Sequence, residues 1–358
     1  MRDIHRMRRD TQRSPLLSLM LAVALIVSSL LVGCGAQQPA AVSDAVASSS
    51  ATVDEGATVD ASASIAGNAN NATLVYTYDE VPLERAGVAL HLDRIQLKGV
   101  EPTRDILLVH GVTYSSHEFD IDYEDYSLVR FLARLGYAVW RLDIAGFGQS
   151  QEVADGFLPD SAYASEDVNA AVEAIVAQSG RDKVDVLGWS WGTVTTSLYA
   201  KNHPEHLGKL VLYAPILSGI GEVQVSEPFH ANDWEHAASD FQMGADGTYD
   251  PAITEPIMVE LFCSSCWHYD GEHSPNGGRR DICVSKETEL IDLAAIQAPT
   301  LVIHGDADPY LNYELTDGVL ERLPAGSEHV VIPGGAHVVM YEKPYYHEFQ
   351  EALAKFLA

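Results

Sequence analysis

The sequence predicts an α/β domain: a mostly parallel central sheet, helices on both faces, and an inserted cap. Three observations carry this. Short apolar, β-branched runs alternate with segments of helical spacing from about residue 73 to the C-terminus, the pattern of parallel strands joined by crossover helices. One of these runs, Val184 to Leu187, stops at Gly188-Trp189-Ser190-Trp191-Gly192, and small residues of a helix follow. A serine between glycines at a strand-to-helix junction is the pattern of a sharp turn that lifts its hydroxyl off the sheet. Between about 217 and 296 the alternation breaks. A structureless loop of that length is improbable inside a compact domain, so residues 217–296 read as a cap between two strands.

Taken in order, the chain begins with a basic stretch, Arg2, Arg6, Arg8, Arg9 and Arg13, and then an apolar run from Leu16 to Val32. That run is at the short limit for a membrane span. It ends in Leu31-Val32-Gly33-Cys34, which resembles the lipobox of bacterial lipoprotein signal peptides. The resemblance implies removal of residues 1–33, lipidation of Cys34, and a membrane partner reached through the lipid anchor. A simple N-terminal anchor is the alternative. Either one puts the folded part outside the cytoplasm, and Gly35 after the cysteine favours the outer membrane or cell surface. Residues 34–72 are rich in Ala, Ser, Thr, Val and Asn without an aromatic residue, a composition that buries no core and reads as a disordered tether.

The domain at 73–358 opens with two alternating strands, Leu74 to Tyr78 and Val88 to Leu97. Asp105 to Val109 is a buried strand running into His110-Gly111, Tyr126 to Leu135 a helix, and Tyr137 to Asp143 the next strand. A glycine-containing loop, Ile144 to Ser150, leads to a long helix over Ala162 to Gln178, for which Ser165 or Ser161 is the expected cap. After the Ser190 turn come strands at Leu210 to Ala214, Pro299 to Gly305 and His329 to Ile332. A closing helix covers Pro344 to Leu357, with the proline in its first turn.

The formal charge is −29, and setting aside residues 1–34 leaves −32. A chain so acidic repels phosphate backbones, which excludes nucleic acid as a partner. Cys263, Cys266 and Cys283 lie close together in sequence. In an oxidising compartment the expectation is one disulfide joining Cys283 to one of the other two. Cys-x-x-Cys-x-His, through His268, is the competing metal-site reading.

A nucleophilic serine needs a base and an orienting acid on loops that follow strands. Gly305-Asp306-Ala307-Asp308 and Gly334-Gly335-Ala336-His337 offer them, in the chain order serine, acid, histidine. From about Leu74 onward the chain resembles the α/β-hydrolase superfamily. The matching pieces are His110-Gly111, Asp143-x-x-Gly146-x-Gly148-x-Ser150, Gly188-x-Ser190-x-Gly192, Gly305-x-x-Asp308, and Gly335-x-His337 with Glu342-x-Pro344. The resemblance implies Ser190 as nucleophile, His337 as general base and then acid, and Asp308 as its orienter, with Asp306 the rival acid. It implies oxyanion donors at the backbone N–H groups of Val112 and Trp191. The Trp191 ring is either packing for the turn or an aromatic wall for the acyl group. A serine at the turn argues against the dehalogenase and epoxide-hydrolase branches, which use a carboxylate there. His110, His117 and His304 read as structural or pocket-lining.

The expected activity is hydrolysis of a small-molecule ester or acyl substrate through an acyl-enzyme, with no cofactor and no catalytic metal. Gly-x-Ser-Trp-Gly followed by His203-Pro204-Glu205 also resembles proline iminopeptidases. On that reading Asp233, Glu235 and Asp240 bind a substrate amine. A surface lipoprotein that keeps the fold only for binding is the non-catalytic alternative.

Overall fold

The computed structural model describes residues 74–244 and 246–358. The leader at 1–33, Cys34 and the tether at 34–72 lie outside the described residues. Alternating side chains first produce a hairpin: β1 (Tyr76–Arg85) and β2 (Val88–Leu97) pair antiparallel from Tyr76↔Leu97 to Arg85↔Val88. The connecting Ala86-Gly87 has φ of 51° and 81°, both positive as a type I′ turn requires. β1 therefore runs well past Tyr78. It accommodates Pro82 because it is an edge strand, where a missing N–H costs no ladder bond.

The chain continues through β3 (Arg104–Val109), α1 (Leu128–Arg134), β4 (Tyr137–Asp143), α2 (Ser161–Ser179), β5 (Val184–Trp189), α3 (Trp191–Asn202) and β6 (Leu207–Tyr213). It then leaves the sheet for β7 (Phe229–Ala231), α4 (Trp234–Ala238), α5 (Pro256–Asp270), β8 (His273–Pro275) and α6 (Gly277–Ile282). It returns with β9 (Thr300–Gly305), α7 (Tyr313–Thr316), α8 (Val319–Arg322), β10 (Glu328–Ile332) and α9 (Tyr346–Leu357). The sheet order is β1-β2-β4-β3-β5-β6-β9-β10, parallel from β4 to β10 and antiparallel around β2. From β3 the chain goes to β4 on one side and later to β5 on the other. Loops at the carboxyl ends of β3 and β5 therefore part, and a crevice opens between them.

Both faces of the sheet are buried, which is why its strands read as continuous apolar runs. Along β3, Ile106 and Leu108 join the layer that holds Leu132 of α1 with Phe349 and Leu353 of α9. Leu107 and Val109 join the layer of Val168, Val172 and Ile175 of α2 and Val194 of α3.

Two helix starts differ from expectation. Asp160, not Ser161 or Ser165, caps α2, its Oδ1 accepting from Tyr163 N–H at 2.8 Å. Asp160 is extended, so its carboxylate reaches the free N–H groups, whereas Ser161 is already helical. Pro344 lies outside α9, which starts at Tyr346 with its N–H bonded to the Glu342 carbonyl.

Between β6 and β9, β7 and β8 form a small antiparallel ribbon. The inner face of α5 (Met258, Val259, Phe262, Cys263 and Cys266) packs into the same layer as Phe119 and Tyr341. Asp270, at the end of α5, accepts from the Ser115 N–H and hydroxyl and from Gly148 N–H at 3.1–3.2 Å, tying the insertion to two core loops. The expected disulfide does not form: Cys263, Cys266 and Cys283 are all free thiols. Cys263 and Cys266 point into the apolar layer from adjacent turns of α5, while Cys283, just after α6, lines the cavity that also holds Ser190. The metal alternative fails as well, since His268 is exposed while the two cysteines are buried.

Candidate active site

The turn at Ser190 is built by its glycines. Ser190 has φ 56° and ψ −124°, a conformation side chains rarely adopt, and it stands at the N-terminus of α3. A Cβ on Gly188 would lie 2.3 Å from the Gly192 carbonyl oxygen. One on Gly192 would lie 2.4 Å from the oxygen of Val109 and 2.6 Å from that of His110. Only bare backbone lets β5, α3 and the end of β3 approach so closely. Gly188→Ala is expected to destabilise the fold by about 3 kcal/mol through overpacking. Thermal unfolding checks this, and a midpoint within about 2 °C of the parent would contradict it.

His337 arrives on the loop after β10. Its Nδ1 bonds Asp308 Oδ2 at 2.8 Å, and both residues are buried. Asp308 also accepts from Tyr310 N–H at 2.9 Å. Burial alone would lower the His337 pKa, but the Asp308 carboxylate, helped by Asp240 and Glu342, outweighs it and raises the value. Burial pushes Asp308 up, and His337 more than reverses this, leaving Asp308 below the usual carboxylate range. With Nδ1 committed to Asp308, Nε2 is the nitrogen left for proton exchange. Asp306, the rival acid, is exposed and accepts from Gly334 N–H at 2.6 Å, so it shapes the histidine loop instead of touching the ring.

Three further groups hold that loop. Trp189 Nε1 and the Tyr213 hydroxyl donate to the His337 carbonyl at 3.1 and 3.0 Å. Buried Glu342 accepts from Ala336 N–H at 2.8 Å and from Gln242 at 2.9 Å.

On the other side of Ser190, Ile144 N–H donates to His110 Nε2 at 3.1 Å. The ring proton therefore sits on Nδ1, which donates to the Gly111 carbonyl at 2.8 Å. Glu118 accepts from Gly111 N–H at 2.9 Å, and burial keeps its pKa well above the ordinary value. This leaves Val112 on the wall of the cavity beside Ser190. Trp191 is the first residue of α3, so its N–H has no acceptor within the helix. Its ring is fully buried, with Nε1 donating to Ser161 Oγ at 2.9 Å. The aromatic wall is therefore Trp189, whose ring centroid is 5.5 Å from that of His337.

Ser190 and His337 open onto one cavity of about 200 Å³, shared with Tyr114, Ile216, Ile220 and Tyr310. Of the acids considered for amine binding, Asp240 lines it. Asp233 instead caps α4, and Glu235 is exposed. Glu118, Arg279 and Cys283 also line the cavity, and nothing in their local sequence marks them for it. His117 stacks on Tyr269, and His304 bonds Gly305 and His329, both in supporting positions. Among the described residues one trio, His91, His117 and Asp143, has potential metal-ligating atoms within 4.8 Å of each other. There Asp143 already accepts from Ser116 and Gln149 and pairs with His91, bracing the loops under the site.

The model of the family described as "Serine aminopeptidase, S33" matches residues 100–344. A protein of Synechocystis sp. named "Putative non-heme chloroperoxidase" is 26% identical over 255 residues, covering 65% of this chain and 84% of that one. Among solved structures, the bromoperoxidase from Bacillus anthracis superposes with a TM-score of 0.57 at 21% identity, over 78% of this chain and 99% of that one. A thermophilic esterase from Thermogutta terrifontis does so at 0.54 and 18%, over 78% and 98%. The architecture is the α/β-hydrolase fold.

Proposed function

The chain belongs to the serine aminopeptidase S33 family of hydrolases, and from that premise we propose that it is an extracytoplasmic serine hydrolase cleaving carboxylic esters. The observation that carries the proposal is that His337, paired with buried Asp308, opens together with Ser190 onto one largely apolar cavity. The Ser190 hydroxyl attacks the ester carbonyl as its proton passes to His337 Nε2. The oxyanion takes hydrogen bonds from the N–H groups of Val112 and Trp191, each contributing about 3 kcal/mol at the transition state. His337 returns the proton to the departing alcohol, leaving an acyl group on Ser190. Water, deprotonated by the same imidazole, then releases the acid. Lipidation at Cys34 would tether the enzyme to the cell envelope, with the outer membrane or cell surface as its site.

Asp240 supports a second reading, an aminopeptidase whose cap acid receives the substrate amine. The test is a rate panel on the full chain, pairing nitrophenyl esters of rising acyl length with a proline arylamide. Ester turnover is expected to exceed arylamide turnover, with an optimum at short acyl chains set by the small cavity. Faster arylamide cleavage would replace the ester reading with the peptidase one.

A further inference from the structure

The arginines of this acidic chain are typically matched to acids: Arg85, Arg130, Arg141, Arg181 and Arg322 each have a carboxylate within 4.0 Å. Arg279 lines the cavity beside Ser190 and, among the described residues, has no carboxylate within that distance. Its hydrogen bonds go to neutral acceptors, Nε to Asn276 Oδ1 at 3.1 Å and one terminal nitrogen to Thr113 Oγ1 at 2.9 Å. Asp240 shares the cavity without forming an ion pair with it. Burial lowers the pKa of Arg279, and the opposing pull of Cys283, Tyr114 and the unpaired Asp240 does not reverse it, as expected of a guanidinium without a directly bonded carboxylate.

Its position is built, not incidental. α6 is seated through Gly277, where a Cβ would lie 2.6 Å from the Pro159 oxygen, and Gly278, where one would lie 2.3 Å from the Trp191 ring. Asn276 N–H is shared between the carbonyls of Gly156 and Pro228 at 2.9 and 3.0 Å, and Asp281 accepts from Ser161 N–H at 2.8 Å. The helix that carries Arg279 thus rests directly on the nucleophile turn. Thr113, which the guanidinium touches, is the neighbour of Val112.

We propose that the cavity takes substrates with a free carboxylate a few bonds from the scissile carbonyl, such as hemiesters of short dicarboxylic acids, and that Arg279 binds that carboxylate. The proposal rests on the reading of Ser190 as nucleophile for where the carbonyl sits. A planar guanidinium held by two neutral acceptors keeps its full charge for the ligand and offers N–H groups in carboxylate geometry. A neutral ester of the same size would leave that partly buried charge without a directly paired carboxylate.

Binding is measured by calorimetry on the full chain carrying Ser190→Ala, with monomethyl succinate and dimethyl succinate as probes and no turnover. The monoanion is expected to bind at least about tenfold more tightly, one charge-assisted contact's worth. Adding Arg279→Gln should abolish the preference, and Arg279→Lys should retain part of it, because charge remains but the fork is lost. Equal affinities, no measurable binding of the monoanion, or a preference that survives Arg279→Gln would each overturn the proposal. Thermal melts confirm that the variants fold. Turnover of a neutral nitrophenyl ester by the parent separates the two readings. Turnover without anion preference removes the carboxylate site alone, and anion preference without any ester turnover removes the esterase reading alone.

Discussion

Ser190→Ala is expected to lower kcat for ester hydrolysis by about 10⁶-fold, the size of effect seen when the nucleophile of a serine triad is removed. The fold should survive. The substituted side chain is already at the cavity wall, 9% exposed, and alanine keeps the Cβ that the turn accommodates. Gly192 and the N–H groups of α3 are untouched. The check is active-site titration with a fluorophosphonate followed by steady-state rates on the same preparation. Labelling or turnover that persists in the variant would show that another group is the nucleophile.

Asp308→Asn is expected to cost about 10⁴-fold in kcat and to move the acid limb of the pH–rate profile. The amide can donate to Nδ1 and so favours the wrong tautomer, with the proton on the nitrogen that should accept it from Ser190. The pH effect has a definite sign. Hydrolysis needs neutral His337, so the parent's rate falls as pH drops through the raised His337 pKa. Removing the carboxylate leaves burial as the dominant influence, so the limb shifts to lower pH. A profile unchanged in position would mean that Asp308 does not set the charge on His337. Asp306→Asn should leave the limb in place, because that carboxylate bonds Gly334 N–H and not the imidazole.

Much of the fold was legible because its causes are local. Alternation and β-branching mark β2 to β5, the strands buried on both faces read as apolar runs, and Gly188 and Gly192 announce a turn no larger residue fits. Element ends were less legible. Whether Asp160 or Ser161 caps α2 depends on which one stays extended, and β1 continues past Tyr78 because its partner strand is there to pair with. The disulfide expectation failed for a similar reason: closeness in sequence says nothing of direction, and α5 packs Cys263 and Cys266 into the apolar layer while Cys283 lines the cavity.

By itself the sequence determined the order of the main sheet strands and the longer helices outside the insertion, the turn at Ser190, and the loops that carry the histidine and its acid. These depend on periodicity, glycine geometry and chain order, all properties of short segments. Only the tertiary structure decided that Asp308 and not Asp306 meets His337, and that Trp189 and not Trp191 faces the cavity. It likewise brought Glu118, Asp240 and Arg279 to the same cavity. Those outcomes depend on contacts between segments far apart in the chain, such as Arg279 with Thr113, and no local pattern encodes which side chain a distant loop will meet.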